Sequence, residues 1–370
     1  MDSLPVEIHQ EIIRRAHPTG QQTLKLTNKY FHGLIKPTPV RFLNFGAKHG
    51  FLKFCKVGLN RRENFLGVCE LAARHGHLEV LKWVKEVLEF STLNHNGKIT
   101  PGKNENAVCP WDELTCSLAA EYGHLEIVQW LRSQGCPWGA GTCSYAALND
   151  HIEILKWVRG SPDTLISIQS GEITPERNEN AICPWDKWTC ALAASNGHLE
   201  TLRWARSQNC PWDEHTCAQA ARGGHLKTLR WARSQNCPWD YQVYEQATIH
   251  GHLEVLKWAH SQGCPRYHGS CFLAAINGHL EILQWLVPQG CSWDAETCAY
   301  AAKHGHLNIL RWARSQGCPW DKYTCDFAAT NGHLEVLQWA HSNGCPWNPT
   351  EDQISRYSPA IQEYARSIRG

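Results

Sequence analysis

Cysteine, histidine and tryptophan are the residues of this chain that could do chemistry. Cys217 stands eight residues before His225, a thiol and an imidazole that could form an activated nucleophile. The same spacing recurs at Cys69–His77, Cys116–His124, Cys143–His151, Cys190–His198, Cys271–His279, Cys298–His306 and Cys325–His333. A catalytic dyad needs one copy, an orienting third group and a pocket; eight copies read as framework, and no catalytic residue is assigned. The histidines are expected to pack and hydrogen-bond within turns. The 18 cysteines are columnar too: nine open a turn (Cys109, Cys136, Cys183, Cys210, Cys237, Cys264, Cys291, Cys318, Cys345), and only Cys55 falls outside both columns. Their C-x6-C spacing lacks the short gap of a zinc knuckle, so no metal is expected, and free thiols in a reducing compartment act as small hydrophobes.

Seventeen of the 18 tryptophans follow two columns, nine from Trp83 to Trp339 and eight placed two residues after a turn cysteine; Trp188 stands apart. Base-stacking platforms need exposed rings and a basic groove. Burial as packing ladders, each ring contributing about 2–3 kcal/mol by area, is the expectation here.

These columns are set by one period. A motif close to W-D-x-x-T-C-x-x-A-A-x-x-G-H-L-E-V-L-x-W-A-x-S-Q-G-C-P recurs every 27 residues, with Gly-His at 197, 224, 251, 278, 305 and 332. Earlier copies sit at Gly76-His77, Gly123-His124 and Asp150-His151, behind a worn copy near Lys48-His49-Gly50. Such a period means stacked repeats that bury their apolar faces against neighbours, so one all-α helical repeat solenoid of about ten repeats is expected across residues 41–347. Within a repeat, Asp213 or Thr216 caps a short first helix rich in small residues, which ends at the left-handed Gly224. His198 to Arg206 then carries Leu199, Leu202, Trp204 and Ala205 over a wide arc, as suits a helix packed on two sides.

Thr216-Cys217-Ala218-Gln219-Ala220-Ala221-Arg222-Gly223-Gly224-His225-Leu226 resembles the ankyrin pattern T-P-L-H-x-A-A-x-x-G-H-L, and Glu79-Val80-Leu81-Lys82-Trp83 resembles its second-helix pattern. The likeness spans about residues 42–347, with cysteine in place of proline and a repeat shorter than the usual 33. The resemblance implies an ankyrin-like array whose projecting finger has shrunk to a Cys-Pro-Trp-Asp turn. At the amino end, Leu4-Pro5-Val6-Glu7-Ile8 and Leu24-Lys25-Leu26-Thr27-Asn28-Lys29-Tyr30-Phe31 resemble an F-box over residues 2–37, although a plain helical cap needs the same apolar helix pair. The F-box resemblance implies that Leu4, Pro5, Ile8, Ile12 and Ile13 contact a Skp1-like ligase subunit. Together the two resemble F-box chains with short Trp-Cys-rich ankyrin-like repeats in giant DNA viruses of amoebae, which implies redirection of a host ligase.

Two insertions, at about 89–108 and 161–182, share the text Ile-Thr-Pro…Asn-Glu-Asn-Ala, the trace of a duplicated block. Asn96-Gly97 and Ser170-Gly171 are hairpin-type dipeptides, so each insertion is a loop or short β-hairpin, functional or merely tolerated. Residues 348–370 retain Ile354, Tyr357, Ile361 and Tyr364 at helical spacing and read as a helical cap.

Charge names no partner: 36 basic against 35 acidic residues exclude a strong field for nucleic acid or an acidic membrane. With no signal-peptide pattern and no apolar span, a soluble monomer of the cytoplasm, with the nucleus left open, is expected, without cofactor. What varies inside the fixed frame is the start of each first helix: Glu113 and Leu114, Lys187 and Trp188, Glu214 and His215, Tyr241 and Gln242, Lys322 and Tyr323. These are the expected target-binding residues of a nonenzymatic adaptor, set against a pure scaffold and, third, a nucleic-acid binder.

Overall fold

A computed structural model describes residues 47–48, 50, 65–89, 91–93, 99–101, 111–160 and 182–368. The chain divides into two compact units, residues 1–189 and 190–370. Among the described residues, nine helix pairs follow the expected repeat. Phe65–Arg74 with Leu78–Glu89, Glu113–Glu121 with Leu125–Ser133, and Ala140–Leu148 with Ile152–Val158 belong to the first unit. Glu214–Arg222 with Leu226–Ser234, Tyr241–Ile249 with Leu253–Ser261, Ser270–Ile276 with Leu280–Leu286, Ala295–Lys303 with Leu307–Ser315, and Lys322–Thr330 with Leu334–Ser342 belong to the second. The remaining pair, Lys187–Ser195 with Leu199–Ser207, begins at the boundary. Glu351–Ser355 and Pro359–Ser367 close the carboxyl end, with Ile354 and Ile361 buried as their spacing predicts.

In each unit, the pair at the boundary aside, consecutive first helices pack side by side and each second helix packs on its own first helix. Small residues permit this: Cys217, Ala218, Ala220 and Ala221 are buried, and a side chain the size of alanine lets backbones approach closely. The second helices contribute the larger apolar groups, such as Leu202, Leu229, Leu256 and Leu310. The first insertion is the one departure from an all-helical chain among the described residues. There β1 (Ser91–Leu93) pairs antiparallel with β2 (Ile99–Pro101), Thr92 opposite Thr100, so the hairpin reading holds. The second insertion, the F-box-like segment and Cys55 lie outside the described residues.

Two columns of left-handed backbone punctuate the repeats. One ends the first helix: Gly224 (φ 74°) and Gly251 (φ 80°) are of this kind, and Asp150 (φ 62°) takes the place where glycine is missing. The other ends the second helix, where Gly263 and Gly317 alternate with Asn209 and Asn236. At Gly251 the amide of His252 donates to the Ala247 carbonyl (2.8 Å) and that of Gly251 to Thr248 (3.4 Å). That double bond closes the first helix with a left-handed residue. The His252 carbonyl then accepts from Leu256 (3.0 Å) and opens the second helix.

Candidate interaction surface

The histidine column works between repeats rather than within its own turn. His252 Nε2 donates to the carbonyl of Arg222, the last residue of the preceding first helix, at 2.9 Å. The same 30-residue reach joins His279 to Ile249, His306 to Ile276 and His333 to Lys303, each at 2.9 Å. His151 meets Glu121 at 3.1 Å, and His77 reaches back to Lys48 of the worn copy at 3.0 Å. Helix ends leave carbonyls without partners, and these imidazoles satisfy them. The carbonyl can only accept, so Nε2 carries a proton and is committed as a structural donor.

The cysteine columns meet each other. Cys116 Sγ lies 3.2 Å from Cys136 Sγ, and Cys298 Sγ 3.3 Å from Cys318 Sγ. A hydrogen bond to the turn sulfur and burial push the Cys116, Cys190, Cys217 and Cys325 thiols far above the ordinary range, which disfavours a thiolate. The pairing of Cys217 with Cys237 and of His225 with the Ser195 carbonyl directs the two groups of the tempting dyad to different partners.

Burial lowers the pKa of His225 from the ordinary 6.5 against the opposing pull of its carbonyl bond, and burial likewise lowers His75, His260 and His304. The unfolded chain therefore binds these protons more readily than the folded one. Their stabilising effect is complete above pH 6.5 and is lost as pH falls through that value towards the folded pKa values. Thermal unfolding should show Tm declining from pH 7 to about pH 5.5, with a smaller decline in His225→Gln, whose amide can keep the donor without the charge. A flat profile in the unaltered chain would count against histidines whose proton affinity is lowered by the fold.

The tryptophan ladders are packed but not sealed. Trp212 sits edge-on to Trp231 at 6.0 Å, and the Arg206 guanidinium covers it at 4.1 Å. Trp239 with Trp258 and Arg233 repeats the arrangement. Trp83, Trp111 and Trp347 are buried, whereas Trp204, Trp231 and Trp258 are half-exposed, so full burial was too strong an expectation.

What faces outward is the start of each first helix. Leu114 is 44% exposed, Trp188 40%, Tyr241 46% and Tyr323 50%. Glu113 and Lys322 are exposed beside them, and Lys187, Glu214, His215 and Gln242 are half-buried. Their backbones are held by the turn aspartate: Asp186 accepts from Trp188 N (2.9 Å), Asp213 from His215 N (3.1 Å), Asp240 from Gln242 N (2.9 Å) and Asp321 from Tyr323 N (3.0 Å). At 113–114 the aspartate is Asp112, in a reciprocal capping box with Thr115. A constant cap thus presents variable side chains from a fixed backbone. Each compact unit carries its own set, the positions up to Trp188 in the first and those from Glu214 onward in the second.

Asp213, Glu214 and His215 place their ligand atoms within 4.8 Å of one another. The Asp213 carboxylate is engaged by His215, through its backbone amide and its Nδ1 at 3.2 Å. The cluster is therefore accounted for by the helix cap.

An aromatic ribbon was missed in the sequence. Phe272, Tyr300 and Phe327 run edge to face across three first helices, at 4.8 and 5.6 Å, with Tyr323 6.1 Å from Phe327. Lys303 Nζ approaches the Tyr300 and Phe327 rings at 5.2 and 5.9 Å. Part of the signal was available. The position two after the first-helix cysteine is Leu118, Tyr145, Gln219, Leu273, Tyr300 or Phe327, as variable as the helix starts, whereas Phe272 directly follows its cysteine and falls outside that column.

No family model matches this chain, and no curated protein matches it. Among solved structures, the human ASB11 ankyrin repeat domain is similar at 15% identity and a TM-score of 0.41, over 49% of this chain and 97% of that one.

Proposed function

We propose that this chain is a nonenzymatic adaptor that binds a target protein through the exposed starts of its first helices. The carrying observation is the set Leu114, Trp188, Tyr241 and Tyr323, apolar or aromatic groups held open on capped helix ends. Aromatic anchors on a rigid backbone lose little conformational entropy on binding and dominate interface energetics. Crosslinking of the intact chain against a variant with alanine at these four positions tests the surface. Loss of at least one partner is expected, and an unchanged partner set disqualifies this face.

The F-box resemblance of residues 2–37 supports a second role, recruitment of the target to a Skp1-containing cullin ligase, with Leu4, Pro5, Ile8, Ile12 and Ile13 as the contact. Ubiquitin transfer would belong to the complex. Purified chain should retain Skp1, and Leu4→Asp with Ile8→Asp should abolish retention. Equal retention by the variant, or none by the parent, removes the ligase link and leaves a scaffold.

A further inference from the structure

In the second unit three repeats lack the arginine cover over the turn: histidine stands there at His260 and His341, whose turn cysteines Cys264 and Cys345 stay buried, and Val287 is the one aliphatic replacement. Elsewhere Arg132 donates to the Cys136 carbonyl (3.2 Å) and Arg159 to that of Cys183 (2.7 Å); Arg206 and Arg233 do the same for Cys210 and Cys237. Each guanidinium also lies 4.0–4.2 Å from the tryptophan two residues beyond the turn cysteine. At the equivalent place the chain has Val287-Pro288, the helix tightens into a 3₁₀ turn over Val287–Gln289, and Ser292 replaces the turn proline. Valine has no donor for the carbonyl and no cation for the ring. Cys291 is correspondingly half-exposed, whereas the turn thiols Cys136, Cys183, Cys210, Cys237 and Cys318 are buried. Cys271, its partner 20 residues earlier, is buried, and the two are joined by a disulfide with Cα atoms 6.2 Å apart, inside the range that a disulfide spans without backbone movement.

We propose that Cys271–Cys291 is a reversible dithiol–disulfide site, which small-molecule disulfides address while the other thiol pairs among the described residues stay reduced. The oxidant is a low-molecular-weight disulfide such as oxidised glutathione. The Cys291 thiolate attacks one glutathione sulfur, forming a mixed disulfide and releasing one glutathione thiolate. Cys271 then loses its proton and attacks the Cys291 sulfur, releasing the second. Two protein thiols are oxidised and one glutathione disulfide is reduced to two thiols, so atoms and electrons balance. Equivalent pairs favour this order: a hydrogen bond from the helix thiol lowers the turn thiols Cys318 and Cys345 despite burial. The product ties a first helix to the turn that follows its own second helix.

The test uses the full chain, fully reduced and then equilibrated in glutathione buffers of rising oxidised fraction. Differential alkylation and peptide mass spectrometry read each thiol. The first oxidation should take the free-thiol count from 18 to 16, with the loss confined to Cys271 and Cys291. Cys116–Cys136 and Cys298–Cys318, whose sulfurs are in contact at 3.2 and 3.3 Å without a bond, should remain free at that point. Oxidation should raise the Tm of the second unit by roughly 5–10 °C. Cys271→Ser should stop at a stable glutathione adduct on Cys291, and Val287→Arg with Pro288→Ser should slow modification several-fold. Oxidation spread evenly over the pairs, or beginning at another pair, overturns the proposal. So does a Cys291 adduct in the unaltered chain that Cys271 never resolves.

Discussion

Replacing Gly251 with alanine is expected to destabilise the second compact unit by about 3 kcal/mol, from left-handed strain of about 1–2 kcal/mol and a disturbed, partly buried hydrogen bond costing about 1–3 kcal/mol. Gly251 has φ 80°, and a Cβ there would stand 2.7 Å from Cε1 and 2.9 Å from Nδ1 of His279. That ring is held by its bond to Ile249, so it cannot yield without losing the cap. Two controls separate strain from clash. Gly332 lies in the same column at φ 83°, but no histidine stands over it and a Cβ would meet nothing within 4 Å; Gly332→Ala should cost only the strain. Gly263→Asn, at φ 73° and equally open, should cost under about 1 kcal/mol, since asparagine already serves at Asn209 and Asn236. Urea unfolding of the three variants decides it. Equal losses at Gly251 and Gly332 would sink the steric half of the account.

That series shows what repetition reveals and what it conceals. The helix pairs, the left-handed glycine and the exposure of Leu114 or Tyr323 follow from residue type and period, because helix amphipathicity and caps act over a few residues. The histidine bond was beyond that horizon. Its partner is a backbone carbonyl 30 residues back, which any residue supplies, so no side chain in the sequence marks it. The meeting of the two cysteine columns was hidden similarly: a 20-residue separation becomes a 3.2 Å contact only after the second helix folds back. Substitutions within columns were more informative than the columns themselves. Val287, an aliphatic residue where the other repeats of the second unit have arginine or histidine, stands beside the half-exposed Cys291, and asparagine in place of glycine at the second turn marks it as sterically open, unlike the first.

Tyr244 is the strongest such substitution, and its replacement by the column cysteine is expected to cost about 3 kcal/mol, near the lower end for emptying an aromatic core site. The ring is buried in the place where other repeats hold a thiol. Its hydroxyl lies 3.4 Å from His260 Nδ1, and His260 in turn touches the Trp285 edge at 5.2 Å and the Arg266 guanidinium at 3.2 Å. Burial pushes the phenol up to about 12, so it stays protonated and able to donate. Three departures from the repeat therefore adjoin: tyrosine for cysteine at 244, histidine for arginine at 260, and arginine for tryptophan at 266. Combining Tyr244→Cys, His260→Arg and Arg266→Trp should recreate the frame of the preceding repeat, with a guanidinium over an indole and a thiol beside Cys264. The triple variant should recover at least half of the loss caused by Tyr244→Cys, giving a coupling of about 1–2 kcal/mol, as residues in one contact network do. Strictly additive changes in urea unfolding would mean that the tyrosine fills its own niche, independent of His260 and Arg266. A recovered triple variant would make this repeat an alternative solution of the same 27-residue frame, in which a buried phenol replaces a thiol pair as the tie between first helix and turn.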